Sequence, residues 1–134
     1  MNRILVVDNE AELRELYRLA VQGDDLEVIE ASDEASAVSL LRSQRFDVVV
    51  VDLRMERKDS GLAVLKAAKE EEPSTQVIVV SVYGTPEVSV EVMNLGAFDY
   101  LQRNSPALDF FSVLRHKINL ALQFRAALVK SACP

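Results

Sequence analysis

The chain has 134 residues, 49% of them apolar, and a formal net charge of −6. That length makes one domain with room for a real core, and the acidic balance argues against nucleic acid, whose phosphates call for clustered Lys and Arg. No run of about 18 apolar residues is present to span a membrane, the N-terminus runs straight into a predicted strand rather than a leader, and the single cysteine, Cys133, has no internal disulfide partner, which fits a reducing, cytoplasmic setting.

In chain order, Ile4–Val7 is a β-branched apolar run that ends on Asp8, Asn9 and Glu10. Leu13, Leu16, Tyr17 and Ala20 then recur at helical spacing, and Gly23 can stop that helix. Glu27–Glu30 reads as a short second strand, and Ser32 as the N-cap of a helix through Ser43 with Val38 and Leu41 facing inward. The valines Val48–Val51 run into Asp52; a third helix spans Gly61 to about Glu71 and is closed by Pro73. Val77–Val80 runs into Ser81, and Thr85-Pro86 is a cap with proline at the first helical position, its helix closed by Gly96. Tyr100–Leu101 runs into Gln102 and Arg103, and Ser105-Pro106 opens the last helix. No repeat or linker divides residues 1 to about 104. Strands and helices in strict alternation imply a doubly wound α/β sandwich with a parallel sheet.

In such sheets ligands bind at the carboxyl ends of the strands. Two acids, a hydroxyl and a cation, distant in sequence, should therefore meet at one edge. The turn after Asp8 has none of the glycines of a phosphate-cradling loop and is acidic, so it would repel a phosphate unless a cation sat between them. Oxygen ligands there and at Asp52 suit a hard divalent ion such as Mg²⁺; equally, Asp8 or Asn9 can simply cap the helix. Asp52, behind four valines, is desolvated on its strand side and needs a partner, which a metal or Arg103 could supply. A carboxylate so held can attack a phosphoryl group in line, while Ser81 and Arg103 bind its equatorial oxygens. The bland alternatives are a strand-end turn for Asp52 and Ser81 and a solvated Arg103.

From Asn2 to about Ala126 the chain resembles the receiver domain of bacterial two-component response regulators. The resemblance is carried by I-L-V-V-D-N-E at 4–10, V-V-V-V-D-L-R-M at 48–55, V-I-V-V-S at 77–81 and G-A-F-D-Y-L at 96–101. It implies a flavodoxin-like three-layer sandwich around a five-stranded sheet of order 2-1-3-4-5. It also implies an aspartate at the third strand's end that accepts a phosphoryl group from a histidine kinase or phosphotransfer protein, with Mg²⁺ bound. On this sequence the acceptor is Asp52. The metal ligands fall on Asp8, Asn9, Asp52 and the backbone carbonyl of Arg54, and the switch hydroxyl and aromatic on Ser81 and Tyr100. An output domain or downstream protein would read the switch.

Several departures lie in these positions. The second acidic residue is Asn9, which keeps a carbonyl oxygen but removes a charge, so metal affinity should fall. The family's lysine is Arg103, whose planar fork is longer and could lie as a bidentate pair on Asp52, imitating or blocking phosphorylation. The following proline is Asn104. A non-proline cis bond costs about 2.5–4 kcal/mol, so Arg103–Asn104 is expected trans. Glu56 replaces a proline in a loop to Gly61 that is one residue longer than usual, and Val82 replaces a small residue and narrows the approach of the switch hydroxyl.

In the last helix Phe111, Leu114, Ile118, Ala121, Leu122 and Leu128 recur at three- and four-residue spacing. Residues 107 to about 120 should pack on the sheet, whereas the turns continuing to about Lys130 have nothing in their own domain to cover. Residues 1–126 are thus taken as the receiver unit and 127–134 as an extension of the helix or the start of a linker, with a homodimer through this helix expected and Arg125 on the stripe arguing against a long coiled coil. His116, beside Arg115 and Lys117, is read as solvated. The leading reading is a phosphorylation-controlled receiver, not an enzyme beyond its own phosphoryl chemistry. The alternative is a pseudo-receiver interaction module, motivated by Asn9, Glu56, Arg103 and Asn104. A flavodoxin-like small-molecule enzyme shares the topology but lacks a glycine-rich or hydroxyl-rich phosphate loop, and fold alone does not argue function.

Overall fold

The structure, a computed structural model, describes residues 1–21, 23, 25–82, 84–103 and 109–132. Five strands and five helices alternate: β1 (Asn2–Val7), α1 (Ala11–Val21), β2 (Leu26–Ala31), α2 (Glu34–Ser43), β3 (Val48–Asp52), α3 (Ser60–Glu71), β4 (Gln76–Ser81), α4 (Pro86–Asn94), β5 (Asp99–Gln102) and α5 (Phe110–Ala132). All strand pairs are parallel and the sheet order is β2-β1-β3-β4-β5. The order reverses between β1 and β3, so the ends of those strands flank the crevice where such sheets bind ligands.

Side chains alternate across the pleat and build a core on each face. Ile4, Val6, Val48, Val50, Ile78 and Val80 face Tyr17 and Val21 of α1 and Leu114, Ile118 and Ala121 of α5. Leu5, Val7, Val49, Val51, Val77 and Val79 face Ala37 and Leu41 of α2, Val64, Leu65 and Ala68 of α3, and Val92 of α4. Because β3 and β4 are central and covered on both sides, every residue of each is buried.

Local chemistry sets the element ends, with some differences from the sequence reading. The α2 cap is Asp33, whose carboxylate accepts from the Ser36 N–H at 2.7 Å, not Ser32. Thr85 caps α4 through the Val88 N–H, with Pro86 in the first turn. Gly96, at φ 98°, takes the left-handed conformation that ends α4. Leu16, expected inside, is 46% exposed, and Leu122, expected exposed, packs against the α1/α5 core. The expected Ser105-Pro106 helix start, the Arg103–Asn104 peptide and Cys133 lie outside the described residues.

α5 stays docked further than its apolar pattern suggests. Arg125 continues the inward stripe of Leu114, Ile118 and Ala121 and pairs with Asp47 at 2.5 Å. The turns before it therefore do have something in their own domain to cover, and Arg125 cannot stand on an outward seam. The outward face carries Leu120, Phe124 and Leu128, all more than a third exposed and four residues apart. His116 is exposed.

Candidate functional site

The ends of β1, β3, β4 and β5 bring Asp8, Asp52, Ser81 and Arg103 to one edge of the sheet. Asp8 is fully buried and uses its two carboxylate oxygens differently. Oδ1 accepts the Glu10 N–H at 2.9 Å, opening α1, while Oδ2 is buried without a hydrogen-bond donor. The capping role that the local sequence leaves open is thus taken by Oδ1 alone, and Oδ2 is left without a donor. The Asp8 backbone carbonyl accepts from Arg14 Nη1 at 2.7 Å. Asp52 is 8% exposed and its Oδ1 accepts the Arg54 N–H at 3.3 Å. Asn9 is exposed beside them.

Arg103 spans the two carboxylates. Its Nη1 lies 3.8 Å from Asp8 Oδ2 and its Nη2 lies 3.7 Å from Asp52 Oδ2, with the guanidinium side chain only 12% exposed. Its backbone N–H donates to the Ser81 carbonyl at 2.9 Å, which fixes the start of the side chain at the β4–β5 edge. The expected bidentate pair on Asp52 alone is not what forms: one nitrogen serves each acid.

Burial pushes the Asp52 carboxyl up to about 6, with the Asp8 charge adding to the rise and Arg103 opposing it. Asp8 is raised too, again first by burial, with the Glu10 N–H and Arg103 pulling the other way. Two acids crowded in a dry pocket resist double ionisation, and a cation between them relieves that.

Neighbouring groups shape the edge. Ser81 is 2% exposed at the end of β4. Tyr100 is turned inward onto the α2/α3/α4 core, its hydroxyl buried without a hydrogen-bond partner. Gly84 lies so close to that hydroxyl that a Cβ there would overlap it. Gly61 is pinned at the back of the acid-bearing strand: a Cβ would stand 2.5 Å from the Asp52 carbonyl oxygen and 2.6 Å from Leu53 Cα. The loop after Asp52 is stapled to α2, with Glu56 accepting the Glu34 N–H at 3.1 Å and Arg57 pairing with the Glu34 carboxylate at 2.5 Å. Val82 lines a groove of about 370 Å³ with Leu13, Leu16, Phe110, Phe111 and Arg103.

One residue beside the site went unread in the sequence. Tyr17 of α1 registers there as a core aromatic, and its ring does pack edge-on against Phe110 and Phe111. Its hydroxyl, however, lies within electrostatic reach of Arg103, Asp8 and Asp52; burial pushes its pKa up, and the guanidinium is the largest opposing influence. The available signal was a tyrosine in an apolar stripe, since a buried phenol normally seeks a partner.

Among the described residues no group of three or more His, Cys, Asp or Glu side chains is placed to hold a metal. The oxygens of Asp8 and Asp52 nonetheless suit a hard divalent ion, and the orphaned Asp8 Oδ2 is an acceptor such an ion would satisfy. The donor chemistry fits, and the guanidinium lies against both oxygens.

A doubly wound sheet with paired acids at its switch point, a hydroxyl on the next strand and a cation beyond it defines a signalling receiver. The chain belongs to the response regulator receiver domain family, whose profile matches residues 4–115. It is 36% identical over 101 residues to regulatory protein AtoC of Escherichia coli and 34% identical over 99 residues to the alginate biosynthesis transcriptional regulatory protein AlgB of Pseudomonas aeruginosa. Those alignments cover 75% and 74% of this chain but 22% of each relative, so the chain spans about a fifth of their length. A response regulator receiver domain protein from Clostridium thermocellum superposes with a TM-score of 0.82 at 27% identity, over 96% of this chain and 99% of that one. A CheY-like receiver domain protein from Methanospirillum hungatei superposes at 0.84 over 95% and 98%, and at 22% identity that likeness is one of fold. Receiver domains of this family are regulatory parts of two-component signal transduction rather than metabolic enzymes. No helix among the described residues is long and apolar enough to cross a membrane.

Proposed function

We propose that Asp52 accepts a phosphoryl group from a histidine kinase or phosphotransfer protein, in the cytoplasm, and that the acceptor state alters the surface offered to an output domain or downstream protein. The observation that carries this reading is the placement of a buried carboxylate at the end of β3, with a second acid, a hydroxyl-bearing strand end and a cation around it. An Asp52 carboxylate oxygen attacks phosphorus in line; the bond from phosphorus to the donor nitrogen breaks, and the donor keeps the electron pair. Arg103 and the Ser81 hydroxyl take charge spreading onto the equatorial oxygens. Mg²⁺, held by Asp8, Asp52, the Arg54 carbonyl and more weakly by neutral Asn9, supplies charge neutralisation when bound. Ser81, drawn to the phosphoryl group, together with Tyr100 already packed inward beneath Gly84, would couple the site to β4, α4 and β5.

Residues 1–126 are proposed as the receiver unit, supported by the Arg125–Asp47 pair that holds α5 to the domain. Residues from 127 on would form a helical extension that meets a second copy of the chain, supported by the outward stripe of Leu120, Phe124 and Leu128.

The test is intact mass after exposure to acetyl phosphate with Mg²⁺, alongside the shift of backbone NMR signals with beryllofluoride. Wild type should gain one phosphoryl group and Asp52→Asn should not. A persistent gain in that variant sinks the assignment. The second reading, a pseudo-receiver, is favoured by one observation: the Arg103 guanidinium already spans both acids. No modification of wild type under any donor would support it.

A further inference from the structure

Three orphaned polar atoms sit in the same buried corner: Asp8 Oδ2, Tyr17 Oη and Arg103 Nε, none with a hydrogen-bond partner. They come from β1, α1 and the end of β5, and Arg103 is common to all three relationships. Its Nη atoms face the carboxylates at 3.8 and 3.7 Å. Its remaining donor, Nε–H, is the group a phenol oxygen can accept from, and the Tyr17 hydroxyl lies within the field of Arg103, Asp8 and Asp52. Tyr17 itself is 2% exposed and wedged by Phe110 and Phe111, so its oxygen has little freedom to turn elsewhere. Arg14, also near, is committed: it donates to the Asp8 backbone carbonyl and pairs with Glu30 at 3.1 Å.

We propose that Arg103 is the resident cation of this pocket, latched by Tyr17, and that its guanidinium and a divalent metal ion are alternative occupants of the space between Asp8 and Asp52. The physical basis is exclusion. A metal held by Asp8 and Asp52 would need the carboxylate oxygens that the guanidinium now faces, and two cations would repel there. One guanidinium already faces both acids without metal, so metal binding must first displace an internal ion pair. Two features raise that cost over a receiver with a lysine: the planar fork reaches both acids at once, and the proposed latch would add the Tyr17 phenol at the unpaired Nε–H. Tyr17 is a positioning residue, acting only through Arg103. The inference rests on the reading of Asp8 and Asp52 as metal ligands but not on phosphorylation of Asp52.

The test is calorimetric titration of Mg²⁺, with Mn²⁺ as a second probe, into the full chain without phosphodonor. Arg103→Ala should bind Mg²⁺ roughly tenfold or more tightly than wild type, the size expected for removing a charge-assisted contact. Arg103→Lys should fall between, and Tyr17→Phe should tighten binding a few-fold. In EDTA, Arg103→Ala should melt below wild type and recover on adding Mg²⁺, which shows that the fold survives and the metal takes the vacated role. Tyr17→Phe should have no further effect on affinity in the Arg103→Ala background; an equal effect there overturns the latch. Unchanged or weaker Mg²⁺ binding by both Arg103 variants overturns the exclusion. Tighter metal binding with no mass gain at Asp52 would leave this inference standing and remove the phosphoacceptor reading, and the converse pattern would do the opposite.

Discussion

Arg125, the sixteenth residue of the longest helix, reaches past the end of its apolar stripe to seat its guanidinium against Asp47, the residue that leads into β3. Asp47 also accepts the backbone N–H of Arg3 at 2.6 Å, so one carboxylate ties α5, β1 and β3 together at the edge of the sheet opposite Asp52. Both side chains are less than a fifth exposed, which puts the pair well above the near-zero value of a surface ion pair.

Arg125→Ala should therefore lower stability by about 1–3 kcal/mol, mostly by leaving the Asp47 carboxylate short of a partner. Urea unfolding with an unchanged m-value would register it as a loss of folded-state stability. A change within about 0.5 kcal/mol would mean water replaces the guanidinium freely.

Gly61→Ala meets backbone, not a flexible side chain, because its Cβ would press on the Asp52 carbonyl and Leu53 Cα. A cost of about 1–3 kcal/mol is expected from that overpacking, together with a weaker beryllofluoride response, since β3 must shift to admit the methyl group. Wild-type stability in the variant would show that α3 simply slides away.

Asp52→Asn should stabilise the metal-free protein near neutral pH. The carboxyl lies at about 6 in the folded state against an ordinary value of 3.8. The folded protein thus holds a proton that the unfolded chain gives up, and stability from this group is full below the unfolded value and lost as pH rises through about 6. Asparagine does not ionise. In EDTA the variant should exceed wild type by about 1–3 kcal/mol above pH 7, and the gap should close toward about pH 4. A variant less stable than wild type at neutral pH would mean that the Arg103 pair outweighs the burial cost.

Removing the residues after Arg125 should abolish self-association without unfolding the domain. The last turns carry Leu128 and Val129, exposed at 41% and 40%, and extend the stripe begun by Leu120 and Phe124. Light scattering over a concentration series should show the full chain tending to a dimer and the shortened chain remaining monomeric, with equal helical signal per residue from the retained part. A full-length chain that is monomeric at high micromolar concentration rules the idea out.

The sequence by itself determined the alternation of elements, because four valines before Asp52 and the runs before Asp8 and Ser81 can only be strands covered on both faces, and because Thr85-Pro86 and Gly96 punctuate α4 by backbone chemistry that is local. It also placed Asp8, Asp52, Ser81 and Arg103 at one edge, since parallel strands end on the same side. It placed the α2 cap at Ser32 rather than at Asp33, where neighbouring residues compete for one N–H. Only the tertiary structure decided which carboxylate oxygen stays free, that Arg103 divides itself between two acids, that Tyr17 brings its hydroxyl within reach of that cation's field, and that Arg125 turns inward to Asp47. Each of these joins residues from different elements, and the direction of a long side chain is set by what lies across the gap. A periodic pattern fixes which face a residue stands on, but not which charge it finds there.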